Sequence, residues 1–414
     1  MGATNTYDEL PYESFAFPET FPRWIRTLTK MYGGVADLDK DNLRILELGC
    51  GKGLNCHIIA QSMPEATVFG VDCSYKQLEE AEQRKKQANL SNLHFEKVNI
   101  DKHKFPPNSY DVIIVHGVYS WVPLNIQRAI LNIAKESLVS GGVLFLSYNI
   151  AAGWNLKGTV RQFLLSKTAK LKSNLKLRVE LAQQIAREYE IIFRDGPGIC
   201  PQLSRELANL TQKPLSYIAH EYLAPVNIGF EFKNVVERAW KKNLAYIGDA
   251  RPWTHWRYTL GQADIQKVES LSDNWMEREN IADFLQDRSF RRSLFVKSDD
   301  FNRSFSQRNP IEGSDAILQI SSMRDLHFRL AAHDIRIISP DMIEVTGSSL
   351  RRAQLQGDVF LNLVQVLAEK QGTFICGEEI ERALHGKYDT NSIWKATQIL
   401  FLSQALDVFP STIV

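Results

Sequence analysis

The segment Arg44-Ile-Leu-Glu-Leu-Gly-Cys-Gly-Lys-Gly53 joins a short apolar strand to a glycine turn, and a helical pattern follows it at Leu54–Gln61. Glycine permits positive φ and a close approach between backbone and ligand at such a turn. The spacing is G-x-G-x-G with Leu54 after the last glycine, so the G-x-G-x-x-G pattern of dinucleotide enzymes is not satisfied. The segment predicts a nucleotide-type ligand site at the end of the first strand of an α/β sheet.

Strand-like and helix-like patterns alternate after this turn. The strand patterns are Thr67–Asp72, Leu93–Val98, Tyr110–Val115 and Gly142–Tyr148, and helical spacing occupies Lys76–Ala88 and Leu124–Leu138. Continuous apolar runs such as 112–115 suit strands that are buried on both faces of a parallel sheet. We therefore predict a Rossmann-like, doubly wound α/β core over residues 1–155.

The later part of the chain predicts four further regions. Apolar residues recur near helical spacing between about 158 and 189, which indicates a helical insertion at 156–230. A helix and two strands at 231–298 would complete the core sheet, and 299–349 would be a middle or linker region. Three short helical patterns at 357–370, 378–384 and 391–406 predict a small, mostly helical, winged-helix-like C-terminal domain at 350–414.

Composition narrows the class of protein without naming a partner. The net charge is +1, and the region from Arg351 onward has six Lys or Arg against seven Asp or Glu, so we expect no nucleic-acid partner. The five cysteines are scattered without C-x-x-C spacing, which argues against a zinc site or a disulfide framework. With neither a signal peptide nor a transmembrane segment in the sequence, we expect a cytoplasmic protein.

Three acidic residues follow successive strands in an order that favours S-adenosylmethionine (SAM) over NAD or FAD. Glu47 precedes the glycines, where it disfavours a pyrophosphate and suits a cationic methionine group. Asp72 is placed to accept both hydrogen bonds from a ribose diol, and Asp101 is placed to contact the adenine amino group. The cofactor-binding residues predicted in these segments and after the fourth strand are Glu47, Gly49, Gly51, Gly53, Asp72, Cys73, Asn99, Ile100, Asp101, His116 and Gly117. No metal ligands are predicted.

Aromatic residues near the same edge of the sheet are candidates for the acceptor side. Methyl transfer needs a neutral, aligned nucleophile, and an aromatic pocket lowers the pKa of a lysine amine by disfavouring its charged form. Tyr119, Trp121, Asn149 and Trp154 are the predicted catalytic residues, although each aromatic ring could instead belong to the core. His116 could relay a proton or support the adenine ring. The absence of Asn- or Asp-Pro-Pro-Tyr disfavours base amines and glutamine as acceptors.

Several motifs resemble those of bacterial methyltransferases that carry a methyltransferase regulatory domain, a family that includes rickettsial-type protein lysine methyltransferases acting on outer-membrane proteins. The resemblance rests on residues 7–15, Glu47–Gly53, 116–123, 147–149 with 153–154, 220–223 and 284–294. It implies that Tyr7–Phe17 forms a lid, with Tyr7 and Tyr12 at the cofactor, and that His220–Leu223 borders the cleft in a middle domain. The pair His220-Glu221 could equally cap a helix end. The region around Lys52 and Asn55 departs from the family pattern.

The combined expectation is a SAM-dependent protein N-methyltransferase that acts on lysine side chains of a protein substrate, with outer-membrane proteins as candidates. The alternatives are a small-molecule N- or O-methyltransferase and a non-catalytic SAM-binding interaction module.

Between residues 157 and 178 there are seven Lys or Arg and no Asp or Glu, which indicates either a solvated helix face or a dock for an acidic protein surface or lipid headgroups. The oligomeric state stays open.

Overall fold

The computed structural model describes residues 10, 14–34, 38, 40, 42–171, 174–300, 318–370 and 372–410. Its centre is an eight-stranded sheet in which seven strands follow the order β3-β2-β1-β4-β5-β8-β7, and β6 pairs with the end of β5. The strands are β1 (Arg44–Leu48), β2 (Thr67–Asp72), β3 (Leu93–Lys97), β4 (Tyr110–Val115), β5 (Leu138–Ile150), β6 (Gly229–Phe230), β7 (Leu244–Asp249) and β8 (Phe290–Lys297). Strands β1 to β5 are parallel, whereas β8 runs antiparallel between β5 and β7. This arrangement confirms the predicted Rossmann-like class.

Helices cover the sheet because its central strands are apolar on both faces. Every residue of β4 is buried, and the last four residues of β1 are buried as well. The helices around the sheet are α1 (Pro22–Met31), α2 (Leu54–Ser62), α3 (Tyr75–Gln87) and α4 (Leu124–Ser137). Helix α3 begins after Ser74, whose hydroxyl accepts a hydrogen bond from the Gln77 amide and satisfies one of the unpaired donors at the helix start.

The region after β5 is helical and has its own apolar core. It consists of α5 (Ala151–Lys167), α6 (Leu175–Phe193), α7 (Cys200–Thr211), a turn of α-helix at Leu215–Tyr217 and a π-helical turn at Ile218–Tyr222. The long helical pattern that we predicted from residue 158 is divided into α5 and α6. Residues Leu164, Ala182 and Leu207, one from each long helix, are fully buried together.

The chain then returns to the sheet. Helix α8 (Phe232–Trp240) leads into β7, and α9 (Gln262–Leu271) and α10 (Trp275–Leu285) precede β8, with short helical turns at Pro252–Thr254 and Trp256–Thr259. Strand β8 carries Arg291, whose buried guanidinium contacts carboxylates on α10 and at the end of β7.

The C-terminal region combines helices with two three-stranded sheets. Its helices are α11 (Asp358–Glu369), α12 (Gly377–Leu384) and α13 (Thr390–Leu402), and its strands are β9 (Leu326–Leu330), β10 (Asp334–Ser339), β11 (Met342–Thr346), β12 (Arg352–Gln356), β13 (Ile375–Cys376) and β14 (Leu406–Pro410). We predicted a middle or linker region at 299–349, and the strands β9, β10 and β11 lie there. The predicted division at residues 349 and 350 falls between two paired strands, because β11 and β12 are hydrogen-bonded to each other.

The C-terminal region packs against the part of the molecule that holds the eight-stranded sheet, through α1. Trp24 on α1 lies with its ring centroid 6.0 Å from that of Phe401 on α13. Ile25, Leu28 and the C-terminal residues Phe328 and Leu400 belong to one buried apolar cluster. Among the helices in the described ranges, none is long and apolar enough to cross a membrane.

Candidate active site

A cavity of about 580 Å³ lies where the parallel strands β1, β2, β3, β4 and β5 end. In open α/β sheets the carboxyl ends of the strands are the usual place for a ligand, because the loops there diverge to the two faces. Of the residues predicted for the site, those that line the cavity are Glu47, Gly49, Gly51, Asp72, Cys73, Asn99, Ile100, Asp101, His116, Gly117, Trp121, Asn149 and Trp154. Tyr7 and Tyr12 lie outside the described residues.

The glycine turn brings backbone to the cavity wall. Gly49, Gly51 and Gly53 have φ values of 77°, 54° and 67°, a region that other residues rarely adopt. A Cβ atom on Gly49 would lie 2.5 Å from Val118 Cγ2, and one on Gly51 would lie 2.9 Å from Gln77 Oε1. Gly53 does not line the cavity; a Cβ there would meet Phe95, and the residue caps the start of α2, so its part is to shape the turn.

Asp72, at the end of β2, fixes the glycine turn with the same carboxylate that faces the cavity. Its Oδ2 accepts a hydrogen bond from the Gly51 amide at 3.0 Å, and its Oδ1 accepts one from the Ser74 amide at 2.9 Å. Burial raises the pKa of Asp72, and these backbone bonds oppose that rise because they favour the ionised form. The remaining lone pairs of an ionised carboxylate suit the two hydroxyls of a ribose.

Glu47 is a buried carboxylate beneath the glycine turn. Its Oε2 accepts a hydrogen bond from Cys56 Sγ at 2.8 Å, and Asn55 Nδ2 lies 3.2 Å from the same oxygen. Burial raises the pKa of Glu47 to about 7, although both hydrogen bonds act to lower it. A cation stabilises the ionised form of a buried acid, so Glu47 is complementary to an ammonium group such as that of a methionine moiety.

Asn55 was not among the predicted site residues, yet it connects Glu47 to the N-terminal segment. Its Oδ1 accepts a hydrogen bond from the Phe17 amide at 3.0 Å, and its Nδ2 donates to Thr20 Oγ1 at 3.0 Å. Phe15 and Phe17 also line the cavity. The region around Lys52 and Asn55, which departs from the family pattern, is therefore the place where α2 contacts the N-terminal segment.

His116 follows β4 and is neutral. Its ring stacks on Phe17 with 3.7 Å between ring centroids and 19° between ring planes. Burial lowers the pKa of His116 to about 3, and the positive charges of Arg292 and Arg251 act in the same direction. Of the two roles we considered, support for an aromatic ligand therefore fits this environment better than a relay through an imidazolium cation.

The loops after β3 and β4 complete the cavity wall next to the glycine turn. Asn99, Ile100 and Asp101 line the cavity, and Asp101 Oδ2 accepts a hydrogen bond from Asn125 Nδ2 at 3.1 Å. The Gly117 amide donates to Ser147 Oγ at 2.9 Å, which ties this loop to β5.

The aromatic candidates divide into two groups. Trp121 and Trp154 reach the cavity together with Asn149. Tyr119 does not, because its side chain is fully buried and its ring packs 5.3 Å from that of Phe230. The structure therefore places Tyr119 in the core behind the site, which was the other interpretation of this residue.

The helical insertion contributes further residues to the cavity wall, and of these only His220–Leu223 was expected from the sequence to border the cleft. Lys157, Tyr217 and Glu221 line the same cavity. Asn227 joins this side to the sheet, since its Oδ1 accepts from Asn149 Nδ2 at 2.8 Å and its Nδ2 donates to Glu221 O at 2.9 Å. Glu221 thus lies where the resemblance predicted a cleft border. His220 Nε2 donates to Leu10 O at 2.5 Å, so the histidine does more than cap a helix end.

Part of the basic run at 157–178 is structural. Arg161 donates to the carbonyl oxygen of Ala224, and Arg178 donates to Thr168 Oγ1 at 3.1 Å. Neither of these two arginines is therefore simply part of a solvated face.

The sheet order, the glycine turn and the acidic residues around the cavity define a class I SAM-dependent methyltransferase. The methyltransferase domain family matches residues 39–196, and the family described as a predicted methyltransferase regulatory domain matches residues 214–297. The chain belongs to the methyltransferases that combine these two domains, and SAM is its cofactor.

Two curated relatives come from Rickettsia prowazekii. The chain is 30% identical to the protein RP028 over 238 residues, which are 57% of this chain and 94% of RP028. It is 29% identical to RP789 over 296 residues, which are 71% of this chain and 53% of RP789, so it spans about half the length of that relative.

A solved structure resembles nearly the whole chain. PKMT2 from Rickettsia typhi, solved alone and in complex with AdoHcy, is 25% identical with a TM-score of 0.75. The match covers 96% of this chain and 77% of PKMT2.

Proposed function

We propose that this methyltransferase transfers methyl groups to lysine side chains of a protein. The observation that carries the proposal is the likeness to PKMT2, a protein lysine methyltransferase, because it extends over the insertion and the C-terminal region as well as the cofactor domain. A shared fold alone does not fix the acceptor, so a likeness that extends beyond the cofactor domain supports the proposal more than the fold does. This match therefore supports a lysine acceptor more strongly than the glycine turn does.

The acceptor side of the cavity has the chemistry that a lysine needs. SAM supplies a methyl group on a positively charged sulfur. The protein must bind an amine in line with that methyl group and must hold it in its neutral form. Trp121 and Trp154 supply aromatic surface, and Asn149 supplies a polar group at the end of β5. An aromatic surrounding disfavours the charged form of an amine whose reference pKa is roughly 10.4.

We assign the cofactor to the side formed by Glu47, the glycine turn, Asp72 and Asp101, and the acceptor to the side formed by Trp121, Asn149 and Trp154. We also propose the division into a cofactor domain, a helical insertion, a sheet-completing segment and a C-terminal domain. Outer-membrane proteins are the first candidates for the acceptor.

The test is incubation of the purified chain with SAM that carries a radiolabelled methyl group and with separated inner-membrane, outer-membrane and soluble bacterial proteins. We expect label in protein, recovered as methyllysine after complete hydrolysis. Label in small molecules alone would favour the small-molecule alternative. Tight SAM binding without transfer to any fraction would favour the non-catalytic alternative and would count against the proposal.

A further inference from the structure

The carboxylates that line the cavity are distributed unevenly. Within the described part of the wall, Glu47, Asp72 and Asp101 stand at or just after β1, β2 and β3, on the cofactor side, whereas Glu221 stands alone on the helical insertion. Trp154 and Lys157, both on α5, line the cavity with Glu221. Glu221 therefore lies on the acceptor side together with the ring of Trp154.

The backbone of Glu221 is held to the end of β5. Asn149 Nδ2 donates to Asn227 Oδ1 at 2.8 Å, and Asn227 Nδ2 donates to Glu221 O at 2.9 Å. Residue 221 also lies in the π-helical turn Ile218–Tyr222, a rare geometry that is frequent at functional sites. These contacts fix the position of Glu221 relative to Asn149 without using its side chain.

The carboxylate itself makes no hydrogen bond to any residue that the structure describes, although much of it is withdrawn from solvent. Burial raises the pKa of Glu221 to about 7, and the nearby ammonium group of Lys157 opposes that rise. A cationic partner would stabilise the ionised form of such an acid, and the acid can take up a proton near neutral pH.

An ammonium group of the chain itself shows what this part of the cavity accommodates. Lys157 Nζ lies 5.5 Å from the centroid of the Trp154 ring, within the range of a cation–π interaction. The same ammonium group interacts electrostatically with Glu221. Trp154 and Glu221 therefore both interact with one alkylammonium group.

We propose that Glu221 and the ring of Trp154 form the subsite that binds the acceptor ammonium, and that Glu221 accepts a proton from it before methyl transfer. The inference rests on the proposed lysine specificity. The lysine ammonium gives one proton to a Glu221 oxygen and becomes a neutral amine. The nitrogen lone pair then forms the new N–C bond, the S–C bond breaks, and its electron pair stays on sulfur, so that the product is a methylammonium ion.

The first test compares Glu221→Gln with Glu180→Gln, which removes an exposed carboxylate on α6 of the same insertion. Loss of a general base lowers rates by about 10²–10⁴-fold, so at saturating SAM we expect kcat with a lysine-bearing protein to fall at least 100-fold in Glu221→Gln. The affinity for AdoHcy, measured by calorimetry, should stay within twofold because the cofactor side is untouched. Glu221→Asp should recover part of the rate, and Glu180→Gln should behave as wild type.

A second test needs no turnover. n-Butylammonium reproduces the end of a lysine side chain, and n-pentanol is a neutral analogue of similar length. By saturation-transfer NMR with AdoHcy-saturated protein, we expect butylammonium to bind wild type and Glu180→Gln, and to bind Glu221→Gln at least fivefold more weakly. The binding of n-pentanol should not change.

The outcomes separate this inference from the proposed function. If the wild-type protein methylates lysine but Glu221→Gln keeps its kcat and its butylammonium binding, the ammonium subsite is elsewhere and the inference is overturned. If the wild type methylates a different acceptor, the lysine proposal fails first and this inference fails with it.

Discussion

The Gly51 amide donates a hydrogen bond to Asp72 Oδ2 at 3.0 Å, so the glycine turn after β1 is held by the acid that ends β2. Two residues that are 21 positions apart thus form one unit of the cofactor site. The ligand-facing carboxylate also stabilises the loop that must approach the ligand. Loss of this acid should therefore affect both the ligand contact and the shape of the turn.

Asp72→Asn should weaken AdoHcy binding by about 10- to 100-fold. The asparagine side chain keeps the size of Asp72 but loses the charge, and hydrogen bonds to charged groups contribute about 1.5–3 kcal/mol. Calorimetry measures the change, and Glu79→Gln on the exposed face of α3 serves as the control. An unchanged affinity in Asp72→Asn would show that the ribose is held elsewhere.

Gly49→Ala should destabilise the protein and weaken cofactor binding together. The left-handed φ of 77° costs a non-glycine residue about 1–2 kcal/mol, and the new Cβ would lie 2.5 Å from Val118 Cγ2. Thermal unfolding with and without AdoHcy measures both effects. Gly158→Ala, where the new Cβ meets no atom within 4 Å, should be neutral or slightly stabilising. Equal behaviour of the two variants would contradict this assignment.

AdoHcy affinity should fall by up to tenfold for each pH unit below about 7. Burial raises the pKa of Glu47 from 4.5 to about 7, so the free protein carries a proton there that must leave before the carboxylate can pair with the ligand ammonium. The ligand-free protein should accordingly lose stability as the pH rises from 4.5 to 7, because the unfolded chain ionises first. Calorimetry between pH 5.5 and 7.5 tests the affinity. Glu47→Gln should bind weakly at every pH, and a wild-type affinity that is flat in this range would exclude the linkage.

Trp121→Ala and Tyr119→Phe should have different effects. Trp121 lines the cavity, so removal of its ring should lower kcat/KM for the protein acceptor by about tenfold or more while AdoHcy binding changes little. Tyr119 is buried against Phe230, and phenylalanine preserves that packing, so Tyr119→Phe should keep activity within about twofold. Steady-state kinetics with a lysine-bearing protein tests both. A large loss of kcat in Tyr119→Phe with normal stability would restore the catalytic role predicted from the sequence.

The cofactor side could be predicted from the sequence because its residues lie at the ends of consecutive strands. Glu47, Asp72 and Asp101 lie near or just after the end of a recognisable apolar run, and the fold brings such positions to one edge of the sheet. Glu221 and Lys157 could not be found in this way, since their approach to Asn149 depends on how the insertion packs. The strand β9 was missed for a similar reason, because its partner β14 lies about 80 residues further along the chain.

Arg291→Met should destabilise the fold by about 3–5 kcal/mol, because it removes the cation from a buried group of acids. The guanidinium Nη2 lies 2.6 Å from Glu279 Oε2 and 2.7 Å from Asp283 Oδ1, and Nη1 lies 3.1 Å from Asp249 Oδ2. Methionine fills similar space but leaves these carboxylates without their principal counter-charge. Urea unfolding measures the loss, and Arg187→Met on the exposed face of α6 should change stability by no more than about 0.5 kcal/mol. Strand β8 pairs with β5, which carries Asn149 of the acceptor side. Arg291→Met should therefore also lower the rate of methyl transfer to the acceptor. A variant with wild-type stability would show that the other cationic neighbours of these acids, Arg288 and His255, suffice without Arg291.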